Sequence, residues 1–345
     1  MPTPQLLPLQ HLGGHGPVLL ILHANGFFGA CYQPLAQQLQ PRFTVVALDL
    51  PGQGSSAPLP PDFGPPTPAA LADSLLHSIQ RHGLRGCRVL GHSLGASVAL
   101  LAESRQPGTF AAMYLYEPVA QAPAAPAGAS TAAADGGDSS SSSSSSSSAA
   151  ATASGHREVG ALLAGLARRR RAEFASPAEA AERLGGKPPF SHLHPAAMAA
   201  YVHHGLRRVS PPAAQAVAAA GVGGGGGGGG GDGRLQQQSQ RPSAAAWQLV
   251  TDPAVEAAVF EAFSPAPRIE AVQAVACPVL LAVGGVAEPP HDLLPGLGRA
   301  LCAQLRRGRL HEWAGLGHFG PLQAPDAVAR HAVAWFDEGQ AASRL

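Results

Sequence analysis

Five short apolar runs set the strongest constraint on the fold. They are PVLLILH (17–23), FTVVALDL (43–50), CRVLGH (87–92), AAMYLYEP (111–118) and PVLLAVGG (278–285). A strand with water on one face alternates apolar and polar residues. A strand covered on both faces reads as a near-continuous apolar run, as these do. Helix-compatible segments lie among them at 31–40, 68–82, 95–106 and 291–307. A last short strand, RLHEW (309–313), is followed by a terminal helix in PDAVARHAVAWFDEG. Strands alternating with helices predict an α/β fold, a mostly parallel central sheet flanked by helices and joined by right-handed crossovers.

The middle of the chain breaks this rhythm. Residues 121–155 are rich in Ala, Pro and Ser, and residues 211–246 in Ala, Gly and Gln, with a serine run at 139–148 and a glycine run at 223–231. Neither segment can bury enough apolar surface to offset the entropy of ordering it, so both are expected to be disordered tethers. Helix candidates occur at 156–174, 176–184, 194–206 and 252–263. Ser176-Pro177 with Glu179 fits an N-cap, a proline at the first helical position and a capping-box residue. The expected organisation is a core of residues 1–120 and 265–345, with a helical cap of 156–210 and 247–264 that follows the first tether (121–155) and is interrupted by the second (211–246). The run Arg168 to Arg171 reads either as an anion site or as a solvated helix end favourable to the helix dipole.

Composition excludes several classes. A formal charge of +1 with 13% charged residues gives no basic surface for a nucleic-acid partner. No run approaches the roughly 18 apolar residues of a spanning helix, and the N-terminus resembles neither a secretory signal nor a transit peptide, so the expectation is a cytoplasmic protein. Four scattered cysteines without a CxxC pair read as reduced, buried or half-buried thiols.

The chemistry gathers around GHSLG (91–95). Glycine is common here, with 42 in the chain, so the pattern Gly-x-Ser-x-Gly gains weight only from its setting. That setting is a strand, a tight turn and a helix, which would hold Ser93 on a strained elbow with its hydroxyl above the sheet. An acyl-transfer site also needs a base, an acid to orient it and donors for the oxyanion. His318, in AGLGHFG after the last strand, is the candidate base. HANGF (23–27) nominates the backbone N–H of Asn25, with its side-chain amide as a possible further donor, and the residue after the serine nominates the N–H of Leu94.

HANGF, DLPGQGSS (49–56), GHSLGAS (91–97) and GLGHF (315–319), in that order, resemble the α/β-hydrolase superfamily over about 1–120 and 265–345. The resemblance implies a Ser-His-acid triad, structural roles for Asp49 and Gly52, an inserted cap, and no metal or organic cofactor. Ala24 stands where the family has the first glycine of its oxyanion loop. The acid stays open between two positions. Glu288, three residues after Gly285, fits the usual place, with Asp292 further out. Glu117, at the end of AAMYLYEP, fits relatives such as haloalkane dehalogenases, and a carboxylate at a buried strand end needs a partner.

The function expected is serine hydrolysis of a carboxylic ester or similar acyl bond in a small-molecule substrate. A serine at position 93 argues against the dehalogenase and epoxide-hydrolase reactions, which use aspartate. Carbon–carbon bond hydrolysis on the same triad, or a ligand-binding receptor or pseudoenzyme on this scaffold, are the alternatives. Phe190, Met198, Tyr201 and Phe260 are expected either to line the pocket or to form the core of the cap.

Overall fold

The computed structural model describes residues 3–122, 144–209 and 246–342. The glycine tether at 211–245, most of the serine tether and the last three residues lie outside the described residues.

The five apolar runs become β2 (Val18–Leu22), β3 (Thr44–Leu48), β4 (Cys87–His92), β5 (Phe110–Tyr116) and β9 (Val279–Gly284), and RLHEW becomes β10 (Gly308–Trp313). Sequence analysis missed a seventh strand, β1 (Leu9–Gly13), whose polar LQHLG carries no apolar run because it is a half-exposed edge. The sheet order is β1-β3-β2-β4-β5-β9-β10, with β1 antiparallel to β3 and every other pair parallel. The central strands are buried along their length, whereas β10 closes the far edge with exposed positions. This is the difference between runs and alternation that the pattern encodes.

Helices α1 (Gln33–Leu39) and α10 (Pro325–Ala342) cover one face through Leu35, Leu39, Trp335 and Phe336. Helices α2 (Pro68–Arg81), α3 (Leu94–Arg105) and α8 (Leu294–Cys302) cover the other through Leu71, Leu75, Val98 and Leu301. The short α9 (Gly320–Gln323) precedes α10. Thr67 caps α2 by accepting from Ala70 N–H at 3.2 Å, with Pro68 at the first helical position.

The insertion between β5 and β9 carries α4 (Ser144–Arg168), α5 (Pro177–Gly185), α6 (Pro195–His204) and α7 (Pro253–Ala262). Two expectations are corrected here. Helix α4 begins inside the segment read as a tether, so the helical part starts before 156. The cap is also not purely helical: β6 (Glu173–Phe174), β7 (Leu206–Arg208) and β8 (Trp247–Leu249) form a three-stranded antiparallel sheet in the order β6-β8-β7. Strands of two or three residues are too short for alternation to register in a sequence. Ser176 caps α5 as expected, accepting from Glu179 N–H at 3.1 Å. Glu179 returns to Ala175 N–H at 2.7 Å, one residue before the cap itself.

The cap is fastened to the core by aromatic rings. Tyr201 of α6 and Phe190 pack 4.7 Å apart, and both meet Phe27 of the loop after β2, at 5.5 and 5.7 Å. Met198 is half-buried against the same cluster.

Candidate active site

Parallel strands send all their C-terminal ends to one edge of the sheet, and loops from that edge can meet there. The ends of β2, β4, β5 and β10 supply Asn25, Ser93, Glu117 and His318.

Ser93 closes β4 and opens α3 at φ 53° and ψ −112°. This region is unfavourable for a residue with a side chain and typically costs about 1–3 kcal/mol. The two flanking glycines make the turn possible. A Cβ on Gly95 would lie 2.3 Å from the carbonyl oxygen of Leu22, and one on Gly91 would lie 2.7 Å from Cα of Ala96. Ser93 N–H donates to Tyr116 O at 2.8 Å and Gly95 N–H to His23 O at 3.1 Å, which brace the elbow on both sides.

The His318 ring lies between a hydroxyl and a carboxylate. Its Nε2 is 3.1 Å from Ser93 Oγ, and its Nδ1 is 2.6 Å from Glu117 Oε2. With Nδ1–H donating to the carboxylate, Nε2 is left bare to accept the serine proton. The second oxygen of Glu117 accepts from Gly284 N–H at 2.6 Å, and the Glu117 backbone N–H donates to Ala282 O at 2.9 Å. Glu117 has φ 44°, so among the described residues the only non-glycine positions with positive φ are Ser93 and Glu117. The backbone is thus strained at both strand ends that face the histidine.

Glu288 has a different position. Its Oε2 accepts from the backbone N–H of His318 at 2.9 Å, and its Oε1 accepts from Gln323 Nε2 at 2.9 Å. Gly317 leaves room for it, since a Cβ there would fall 2.1 Å from Cδ of Glu288. Glu288 therefore grips the loop that carries the histidine and does not touch the ring nitrogens. Asp292 is exposed and makes no hydrogen bond to His318 among the described residues.

Among the described residues, neither of the nominated oxyanion donors has an acceptor. Leu94 is the first residue of α3, where an N–H has no partner within the helix. The N–H of Asn25 donates to no acceptor among the described residues. The Asn25 side chain turns to the cap instead, its Nδ2 donating to Glu256 O at 3.0 Å. Asp49 and Gly52 occupy the structural places expected of them. Asp49 accepts from Gly29 N–H at 2.6 Å, Ser55 N–H at 2.7 Å and Ser55 Oγ at 2.8 Å, and Gly52 turns at φ 72°.

Burial governs the protonation of the site. It pushes His318 down to about 3 and Glu117 up to about 7, since removal from water penalises the charged form of each. Ring and carboxylate titrate as a pair across a 2.6 Å contact. The imidazole is consequently neutral, the form a general base requires.

Three residues near the site carry no sequence signal. His92 Nε2–H donates to the carbonyl of His318 at 2.9 Å, which leaves Nδ1 to accept from Tyr32 OH at 2.7 Å. Tyr32 OH in turn accepts from Ala24 N–H at 3.0 Å. This buried strut joins the loop after β2 to the histidine loop through the end of β4. His291 stacks on His318, with centroids 4.2 Å apart and planes 13° apart. Tyr32 and His291 belong to no short motif, and His92, although it stands inside GHSLG, has its partners distant in the chain.

An apolar cavity of about 90 Å³ opens beside Ser93, lined among others by Val159, Leu163, Phe260, Phe263 and Leu297. Of the four residues proposed from sequence for pocket or cap core, Phe260 lines this cavity and Tyr201 is buried in the cap–core joint. The four cysteines are free, three of them buried and Cys277 half-buried. Among the described residues no group of three or more His, Cys, Asp or Glu side chains could hold a metal ion, and no helix is long and apolar enough to cross a membrane.

A mostly parallel sheet, with a serine on the strained turn after a central strand and a histidine late in the chain, has the features of the α/β-hydrolase class. The chain belongs to the alpha/beta hydrolase family, whose model matches residues 18–331. It is similar to a pimeloyl-[acyl-carrier protein] methyl ester esterase of Chromobacterium violaceum, 34% identical over 94 residues, which are 27% of this chain and 34% of that one. The enzyme of the same name from Methylococcus capsulatus is 34% identical over 102 residues, 30% of this chain and 37% of the other. The chain thus spans little more than a third of the length of these relatives. Among solved structures it is similar to a thermophilic esterase from Thermogutta terrifontis, with TM-score 0.57, 18% identity, and coverage of 96% of this chain and 93% of the other. An E-2-(acetamidomethylene)succinate hydrolase superposes with TM-score 0.63 and 15% identity, covering 96% and 99%. At these identities the structural likeness speaks for the fold alone.

Proposed function

We propose that this protein is a serine hydrolase of a carboxylic ester or similar acyl bond. The observation that carries the reading is the chain of contacts from Glu117 through His318 to Ser93, at 2.6 and 3.1 Å. In this reading His318 Nε2 takes the Ser93 proton as Oγ attacks the carbonyl carbon. The backbone N–H groups of Asn25 and Leu94 hold the negative oxygen of the tetrahedral intermediate. The imidazolium, steadied by Glu117, then gives its proton to the departing alcohol. Water repeats the sequence on the acyl-enzyme and frees the acid. The apolar cavity beside Ser93 suits the hydrocarbon part of such a substrate. Relatives named as esterases support the same class of bond.

The test is covalent. Purified protein and its Ser93→Ala variant are incubated with a fluorophosphonate, and intact mass is read. The expected outcome is one adduct on the wild type and none on the variant. A folded wild type that takes no label would overturn the proposal.

A further inference from the structure

The basic run at 168–171 is not a uniform solvated helix end. Helix α4 stops at Arg168, which is exposed and pairs with Glu261 at 2.6 Å; Arg169 and Arg171 are exposed as well, and Arg170 is half-buried against Glu256. The chain then turns toward β6, and Arg169, Arg170 and Arg171 all line a second cavity of about 850 Å³ under the cap. Arg183 and Lys187 line it too, and Lys187 is the only lysine in the sequence. Five cations thus face three acids in this groove, Glu179, Glu182 and Glu256. Glu256 is engaged by Arg170 at 2.6 Å, and Glu179 by Arg171 at 3.0 Å and by Arg183 at 2.9 Å. Arg169 and Lys187 have no acidic partner among the described residues, although both line the groove. For a chain with a formal charge of +1, this is a concentrated positive field.

The groove adjoins the apolar cavity beside Ser93. Asn25, Leu163, Phe260, His291 and Phe319 line both cavities, which places the basic groove directly beside the space at Ser93. We infer that the groove is an anion subsite, and that the substrate is an acyl compound bearing a carboxylate or phosphate on the part lying away from the scissile bond. This rests on the hydrolase reading and narrows its substrate class. Arg169 and Lys187 would meet the anion, while the paired arginines supply the surrounding field.

The experiment compares p-nitrophenyl esters of matched length ending in a methyl group, a carboxylate or a phosphate monoester. The charged esters should exceed the neutral one in kcat/KM by about fivefold to tenfold, as two partly exposed cations allow. The ratio should fall toward one in the double variant Arg169→Gln/Lys187→Gln and in high salt, but not in Arg168→Gln, whose side chain points to Glu261. A larger ratio for the carboxylate ester or for the phosphate ester tells which anion the groove prefers. A wild-type ratio near one, or a ratio that survives the double variant, overturns the inference.

A second measurement separates it from the hydrolase reading. Suberate and phenyl phosphate are titrated calorimetrically into the full-length Ser93→Ala protein, which needs no turnover. Binding that weakens in the added double variant upholds the subsite even if no ester is hydrolysed. Equal affinity, or no binding of either anion, overturns it.

Discussion

Glu117, at the end of β5, and Glu288, in the loop after β9, both hydrogen-bond to His318, one to its ring and the other to its backbone. They are alike in type, and the whole cap lies between them in the chain. The carboxylate on the ring can select the tautomer and stabilise the imidazolium. The carboxylate on the backbone can only fix where the loop sits. Proximity to a catalytic histidine therefore does not define its acid; the atom contacted does. Position explains the strain as well. Glu117 is held at positive φ with both oxygens engaged, by His318 and by Gly284 N–H. Glu288 divides its oxygens between His318 N–H and Gln323, in ordinary loop bracing.

Substitution at Glu117 is the hardest test of this contrast. Glu117→Gln keeps the shape but presents a neutral amide to Nδ1, so the tautomer is no longer held. Ester turnover should fall by roughly 10³–10⁴-fold, the scale of a wrong-tautomer change in a serine triad. Steady-state kcat on an activated ester checks this, with circular dichroism to establish that the variant is folded. A loss below tenfold would remove Glu117 from the relay.

Acidification comes next in size. Glu117 is raised to about 7 and His318 lowered to about 3 by burial, so the pair holds one proton between these values and none above them. Only the proton-free pair offers both an ionised carboxylate and a bare Nε2. The kcat/KM should rise about tenfold per pH unit up to about 7 and then level. By pH 5 the loss is roughly 100-fold. A flat profile from pH 5 to 8 would contradict this, and Glu288→Gln should leave the rising limb where it is.

Glu288→Gln itself should have the smallest effect on rate. Glutamine offers one acceptor oxygen where the carboxylate offers two, so either His318 N–H or Gln323 loses its partner. A destabilisation of about 1–3 kcal/mol and a fall in kcat of less than about tenfold are expected. Denaturant melts and the same ester assay read both. Were Glu288→Gln as damaging to kcat as Glu117→Gln, the roles of the two strand ends would be reversed.

How much of this could be read in the chain varies with distance along it. The elbow was legible because its parts are adjacent: β4, the glycines at 91 and 95, Ser93 and α3 fall within one local unit. His318 was legible because its loop follows an identifiable last strand. β1 escaped because an edge strand has no apolar run, and the cap sheet escaped because its strands are two or three residues long. Tyr32, His92 and His291 escaped because their partners lie tens to hundreds of residues away. The anchoring of the Asn25 amide on Glu256, 231 residues on, escaped for the same reason.

By itself, the sequence determined the order of the core's buried strands and helices, the mostly parallel sheet, and the identity of nucleophile and base candidates, because burial periodicity and turn chemistry are local properties. Only the tertiary structure decided which carboxylate faces the imidazole and which arginines face the basic groove. The sheet places β5 between β4 and β9, so Glu117 stands one strand from Ser93 and meets a histidine 201 residues away. The turn after α4 sends Arg168 to Glu261 and leaves its three successors on the walls of the groove. Both outcomes depend on how distant segments pack, and the range of a side chain contact in space has no counterpart in spacing along the chain.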